Sequence, residues 1–460
     1  MNQLEQFLKK LENTSDYFSD HASNYENIIS ISHDDADGIS SSVIIQNMAK
    51  RIGKPCSVKI HNNIMPWKQF LGSLPQLTEN SAIIMTDLGS NIKEVAEAVK
   101  SNHIRNDFII LDHHLFNSEL LELFPENVYF INLTEFGLNG LRDGSASAIA
   151  MKFALYINQN CKSDAWVSLL GIAGDCLQHA EKYQGLNKEI LDLAVEEQQV
   201  RLHEGLCVYG GSHMNLENGL PRSILPFIKK LKGSKVLCKT ILEKNGINPK
   251  MKIEDVDMEL AEKIKEIFQE DMIGQTIKIN KKANLINNTF EHGLLVAILG
   301  EKNSHQAFEL IGRKTAQTAE INLYLDYVDQ LVNSMSKIIS LPRLETEDVI
   351  LIDIGKSLPY TAWSSTASYS SVNKIFNPEK IIMIGGKYNE SDDVAKFSVR
   401  CSDDFIKKHN GKGVNIFIQQ LSKKINGRGG GHSLAGGINF SSEYFEILKQ
   451  NYTELLRMED

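Results

Sequence analysis

The segment "ISHDDADGISSS" (31–42) sets His33, Asp34, Asp35 and Asp37 in close succession. Carboxylates packed this tightly repel one another and raise each other's pKa unless a positive charge sits among them. Further acids and imidazoles follow at intervals: Asp87 in "TDLGS", Asp112, His113 and His114 in "LDHH", and Asp175 in "GIAGDCLQ". Carboxylates mixed with imidazoles suit Mn²⁺, with Mg²⁺ or Co²⁺ as alternatives, and do not suit an all-thiolate metal. A pair of such ions about 3.5–4 Å apart is the usual device for attack on phosphorus, because it binds both the nucleophile and the leaving oxygen. His33, Asp35 and Asp37 alternate, so an extended backbone would point all three to one side and leave Asp34 on the other.

The elements that must hold these groups follow from the hydrophobic pattern. "NIISIS" (27–32) reads as a buried strand, and "ISSSVIIQNMAKRIG" (39–53) reads as a helix with a glycine stop. "SAIIMTDLGS" (81–90) is a strand that breaks at Asp87, "DFIILDHH" (107–114) is another, and "NVYFINL" (127–133) repeats the pattern. Strands alternating with helices predict a mostly parallel sheet covered on both faces. Ligands gather beyond the carboxyl ends of such strands, which is where the acids fall.

After about residue 145 the pattern turns helical, with "SASAIAMKFALYINQN", "SDAWVSLLGIAGDCLQ" and "NKEILDLAVEEQQVRLHEGL". Residues 206–275 read as helices and polar loops, and strands return from about 345 in "DVILIDIG", "KIIMIGGKY", "AKFSVRC" and "SLAGGINF". The expected organisation is an α/β catalytic domain over 1–205, a helical connector over 206–275, and a smaller C-terminal α/β domain over 276–460. A length of 460 residues accords with two or three domains.

Composition excludes several classes. The chain is 42% hydrophobic and 23% charged with a net charge of −9, so it is not coated in basic surface. Any nucleic-acid contact has to be a local groove lined by Lys and Arg. The 6 cysteines are scattered without a CxxC pair, which fits a reducing cytosol and gives no zinc spacing. No run approaches the ~18 apolar residues of a spanning helix. The expectation is a cytoplasmic protein with no membrane association.

Taken singly, each acidic stretch has an ordinary explanation. "DADG" can be a solvated turn, "DHH" a loop with a structural histidine, Asp87 a turn acid, and Asp175 a helix cap. Their appearance in order, each at a strand or helix end, is what a solvated turn does not explain.

"HDDADGISS", "TDLGS", "LDHH" and "GIAGDCLQ" resemble the four ordered motifs of the DHH phosphoesterase superfamily, and "INLTEFGLNGLRDGSASAIA" resembles the loop and helix between its third and fourth motifs. "NGRGGGHSLAGG" with "KFSVR" resembles the superfamily's second, substrate-binding domain, DHHA1. The length and the His-type first motif look most like the archaeal RecJ-like single-strand exonucleases, a group that associates with the GINS replication complex. The resemblance implies two Mn²⁺ ions, with His33 and Asp35 on one, Asp37, His113 and Asp175 on the other, and Asp87 bridging. It further implies that Asp112 orients the histidines, that His114 contacts the scissile phosphate, and that a water made acidic between the ions attacks phosphorus in line. Arg400, Gly429, Gly430, Gly431 and His432 would bind the substrate phosphate or terminal nucleotide. The glycines would do so as a backbone anion nest, and the active site would lie in the cleft between the two domains.

Three functions follow from these expectations. The first is a metal-dependent exonuclease on single-stranded DNA or RNA in replication or repair, with Phe227, Trp363 and Tyr360 offered as stacking rings beside their more ordinary role in packing. The second is a small-substrate phosphodiesterase cleaving oligoribonucleotides or cyclic dinucleotides. The third is a replisome scaffold that binds GINS.

Overall fold

The computed structural model describes residues 2–62, 65–74, 77–175, 179–280, 286–313, 315–389, 391–431 and 433–458. The chain folds as two compact units, Met1–Gly205 with Ile273–Tyr324, and Leu206–Met272 with Leu325–Asp460.

The first unit opens with α1 (Gln3–His21), which Asn2 and Glu5 cap reciprocally. It continues through β1 (Asn27–Ser32), α2 (Ala36–Arg51), β2 (Cys56–Ile60), α3 (Trp67–Gly72), β3 (Ser81–Thr86) and α4 (Ile92–Ser101). Then come β4 (Phe108–Asp112), β5 (Val128–Asn132), α5 (Ala146–Ile157), α6 (Ala165–Gly174) and α7 (Gly185–Glu196). The five strands form a parallel sheet in the order β2-β1-β3-β4-β5. β1, β3 and β4 are apolar and buried nearly throughout, as strands covered on both faces must be. The register sets Ser32 beside Thr86, Thr86 beside Leu111 and Asp112 beside Asn132. The strands therefore end level, and the residues that follow them converge.

Two expectations for the middle of the chain are corrected. The helix ending near 206 stops at Glu196, where Gln198 turns left-handed (φ 55°), and Val200–Leu206 forms β6. The chain then builds α8 (Leu216–Gly219), α9 (Lys235–Lys244) and α10 (Met258–Phe268) in the second unit before it returns as β7 (Ile273–Ile279). β7 pairs with β6, and α11 (Thr289–Arg313, interrupted at Asn303) lies against α6 and α2. The stretch 273–324 thus packs with the first unit, so a C-terminal domain does not begin at 276.

The second unit takes over within α12 (Thr318–Ile338). It carries β8 (Leu344–Glu345), β9 (Val349–Asp353), α13 (Trp363–Val372), β10 (Ile381–Gly386) and β11 (Val394–Arg400). There follow α14 (Asp403–Lys408), α15 (Val414–Lys424), β12 (Arg428–Gly431), β13 (Ala435–Ser441), α16 (Ser442–Gln450) and α17 (Tyr452–Leu455). Its six strands run in the order β12-β13-β11-β10-β9-β8, with β9 and β10 parallel and the other pairs antiparallel. Leu351, Met383, Phe397 and Val399 face one core, while Ile350, Ile352, Ile382 and Ile384 face another beneath Trp363 and Ala367 of α13. Among the described residues no helix is long and apolar enough to cross a membrane.

Candidate metal centre

The first motif does not run extended as far as Asp37. Asp35 is the N-cap of α2, its carboxylate accepting the Gly38 N–H at 3.0 Å, and Asp37 lies in the first helical turn. The alternation argument therefore fails for this loop, although both acids still reach the centre. Helix entry also sets the role of Gly38: a Cβ there would stand 2.5 Å from the carbonyl oxygen of His33, so glycine permits a close backbone approach. Asp34 is not turned away, since its Oδ1 is 3.6 Å from His33 Nε2.

His33 Nδ1 pairs with Asp35 Oδ2 at 2.8 Å. That contact helps hold Asp35 ionised against the burial that would otherwise raise its pKa, and the carboxyl titrates well below the usual range. Asp37 is 1% exposed, with Oδ2 accepting the Ala146 N–H at 2.7 Å and Oδ1 the Ser147 N–H at 3.0 Å. Those are first-turn amides of α5, whose N-terminus favours a negative charge.

Asp87 follows β3 in a left-handed conformation (φ 61°), which turns its side chain toward the ends of the neighbouring strands. His113 donates from Nδ1 to the Gly140 carbonyl oxygen at 2.7 Å, which fixes the tautomer. Its Nε2 then faces Asp87 at 3.3 Å, Asp37 at 3.8 Å and Asp175 at 3.9 Å. Asp112 is fully buried and accepts from the His114 ring at 3.0 Å, from the His114 backbone N–H at 2.9 Å and from Asn132 at 3.1 Å. Burial alone would raise its pKa, but the adjoining histidines hold it below the usual range. Asn132 also donates to the His114 carbonyl oxygen at 2.8 Å, a fastening role that no spacing in the sequence singled out.

The donors gather into three sets, His33–Asp35–Asp87, Asp37–His113–Asp175 and Asp87–His113–His114, with the ligand atoms of each within 4.8 Å of one another. Asp87 Oδ2 and Asp175 Oδ2 are buried without a hydrogen-bond partner. Burial and then neighbouring carboxylates push both acids well above the ordinary range, by Asp35 for Asp87 and by Asp37 for Asp175. His113 goes the other way from a buried histidine: burial lowers its pKa, but the facing carboxylates raise it well above the ordinary value. Orphaned carboxylate oxygens, convergent imidazole nitrogens and an excess of negative charge are what divalent cations would satisfy, so the residues fit the two ions.

Of the expected substrate groups, Arg400 and Gly429–Gly431 lie in the second unit. Arg400 is already engaged, donating to Ser368 Oγ (2.8 Å), Ser364 Oγ (2.9 Å) and the carbonyl oxygens of Val399 and Gly436 (2.9 and 3.0 Å). Gly429, Gly430 and Gly431 do not form a concave nest, because they lie extended in the edge strand β12 against β13. His432 falls outside the described residues. Of the offered rings, Phe227 and Trp363 are buried, and Tyr360 is exposed.

Residues 27–195 match the DHH family, N-terminal domain. Those residues resemble a DHH domain. The match covers all the metal-centre residues named above. Over 98% of its length the chain is 24% identical to an uncharacterized protein of Methanocaldococcus jannaschii, and it covers 98% of that protein. The fold resembles CDC45 from Entamoeba histolytica, with a TM-score of 0.70 at 12% identity over 98% of this chain and 99% of that one. It also resembles RecJ from Thermus thermophilus, solved in complex with Mn²⁺, with a TM-score of 0.54 at 13% identity over 98% of this chain and 55% of that one.

Proposed function

We propose that the chain is a cytoplasmic, metal-dependent phosphodiesterase of the RecJ kind, a single-strand-specific exonuclease acting on DNA, and on RNA as well, in replication or repair. The observation that carries this reading is the meeting of the donor sets His33–Asp35–Asp87 and Asp87–His113–His114 at Asp87, together with the orphaned Oδ2 atoms of Asp87 and Asp175. His33, Asp35 and Asp87 would hold one ion and Asp37, His113, Asp175 and Asp87 the other, Mn²⁺ by preference, with Mg²⁺ or Co²⁺ as substitutes. Such a pair lowers the pKa of water toward neutrality and stabilises the charge that develops on the phosphoryl oxygens.

The chain's own residues preorganise this chemistry. Gly140 fixes the His113 ring, the α5 amides hold the Asp37 carboxylate in place, and Asp112 fixes His114 so that its outer edge can meet the scissile phosphate. Arg400, Gly429–Gly431 and His432 remain the proposed substrate grip of a DHHA1-type domain.

Digestion of end-labelled single-stranded DNA and RNA with each metal, read for product size and polarity, tests the reading. Metal-dependent release of mononucleotides is expected, and Asp37→Ala with Asp87→Ala should abolish it. Hydrolysis of dinucleotides alone would point instead to a small-substrate phosphodiesterase.

The whole-length likeness to CDC45 favours a second reading, a replisome subunit that binds GINS. A scaffold has no need of six convergent donors with orphaned oxygens. Absence of hydrolysis together with co-purification of GINS subunits would establish it.

A further inference from the structure

The second unit holds a cavity of about 350 Å³ outside the carboxyl ends of the parallel strands β9 and β10, with Gly386 in its wall. Openings at that end of parallel strands are where ligands of α/β sheets commonly sit. Three rings converge on it: Tyr360 and Trp363 lie 5.0 Å apart, Tyr360 and Tyr388 6.2 Å, and Trp363 and Tyr388 6.3 Å. Trp363 is buried and anchored by its Nε1–H to the Leu358 carbonyl oxygen at 3.3 Å. The two tyrosines are 47% and 41% exposed, so part of each ring is open to solvent. Lys396 crosses the opening, its Nζ donating to Tyr360 Oη at 3.1 Å and standing 5.2 Å from the centre of the same ring.

We propose that this cavity is a nucleobase-stacking subsite, with Tyr360 and Tyr388 as the faces that take the base and Lys396 set for the adjoining phosphate. The inference rests on the nucleic-acid reading above and names where in the second unit a strand is held. Exposed aromatic faces beside a cation are the usual means of holding a single strand without regard to sequence. A cage for a cationic side chain would also use converging rings and the carboxylates of Asp392 and Asp393 in the same wall. Lys396 argues against it, because its ammonium already stands beside Tyr360 Oη at the ring edge and a second positive charge would be repelled. Asp392 is also committed, accepting the Asn389 backbone N–H at 2.8 Å.

The placement gives the strand a direction. Lys396 and Arg400 project from the same face of β11, four residues apart, which is about 13 Å along a strand. Arg400 reaches Ser364 of α13, the residue after Trp363. A terminal nucleotide gripped at Arg400 and a base stacked at Tyr360 are thus separate positions that an oligonucleotide spans and a mononucleotide does not.

The test is binding of a fluorescein-labelled single-stranded 12-mer to the full chain in chelator, read by anisotropy, with tryptophan emission, to which Trp363 contributes, as a second signal. Binding in chelator is independent of hydrolysis, so failure of the nuclease reading and failure of the subsite are separate results. Tyr360→Ala and Tyr388→Ala should each weaken binding by roughly tenfold. The Phe variants should retain most of it, and tryptophan emission should change on binding to wild type and to the Phe variants but not with the alanine variants. Alanine variants that bind like wild type overturn the subsite, as does a wild-type chain that binds no oligonucleotide. Tyrosine-dependent capture of an arginine-rich or trimethyl-lysine peptide in place of DNA overturns it in favour of a cation cage.

Discussion

His113 donates from Nδ1 to the carbonyl oxygen of Gly140 at 2.7 Å, and this bond decides which imidazole nitrogen faces the carboxylates. The contact is close on the other side as well, since a Cβ on Gly140 would stand 2.0 Å from the His113 carbonyl oxygen. Gly140→Ala should therefore move the loop and tilt the ring without removing any donor. Losses of this kind cost metal sites about 10–100-fold in affinity. Titration calorimetry with Mn²⁺ checks it, with circular dichroism to confirm the fold, and unchanged affinity would show that the loop has no hold on the ring.

Asp87 sits where its charge is least welcome when no cation is present. Burial, and then the charge of Asp35, raise its pKa well above the carboxylate range. A raised carboxyl pKa favours the fold at low pH and costs stability as the pH climbs through it, so the metal-free protein carries this cost toward neutrality. Asp87→Asn should raise the melting temperature of the metal-free chain at pH 7 while removing the gain that Mn²⁺ gives the wild type. Each kcal/mol is worth roughly 2–4 °C in a domain of this size. A variant that melts lower in chelator and still gains from Mn²⁺ would contradict the assignment.

Arg400 ties β11 to α13 through Ser364 and Ser368 while also bonding two carbonyl oxygens. Only a planar fork reaches acceptors in so many directions, so Arg400→Lys should not conserve the arrangement. Loss of two or three of these bonds should cost the metal-free protein about 1–3 kcal/mol in urea denaturation. If stability is retained, the guanidinium is held loosely enough to leave these partners for a substrate.

Much of this was legible in the sequence for a definite reason. Strands buried on both faces read as runs rich in Ile, Val and Leu, and β1 occupies the predicted span 27–32. Parallel register then brings their carboxyl ends level, so acids at those ends had to meet. The local path of "HDDADG" was not legible, because Asp–Ala–Asp fits a strand end, a turn or a helix cap equally well, and the Asp35 bond to Gly38 N–H is what selects the cap. The pairing of β6 with β7 was also hidden, since the partner lies some seventy residues away and leaves no mark on local periodicity. The three glycines misled in the opposite direction, because glycine's freedom suggests a turn where the chain is simply extended.

His292, in the first turn of α11, gives a pH signature away from the metal centre. It is fully buried, its Nδ1–H reaches the Ile286 carbonyl oxygen at 3.2 Å, and its ring lies edge-on to Trp166 at 6.4 Å. Burial pushes its pKa down to about 4, so the folded ring stays neutral where the unfolded one would take a proton. The sign follows: stability is complete above about pH 6.5 and is lost as the pH falls, levelling off below about pH 4. For a buried ring this amounts to roughly 3 kcal/mol across the window. His292→Gln keeps a donor near Ile286 without a titrating group, so its melting temperature should fall less steeply than that of wild type between pH 6.5 and 4. The carboxylates titrate alike in both proteins, and the difference between the curves isolates His292. Parallel curves would mean that the ring takes up its proton inside the fold.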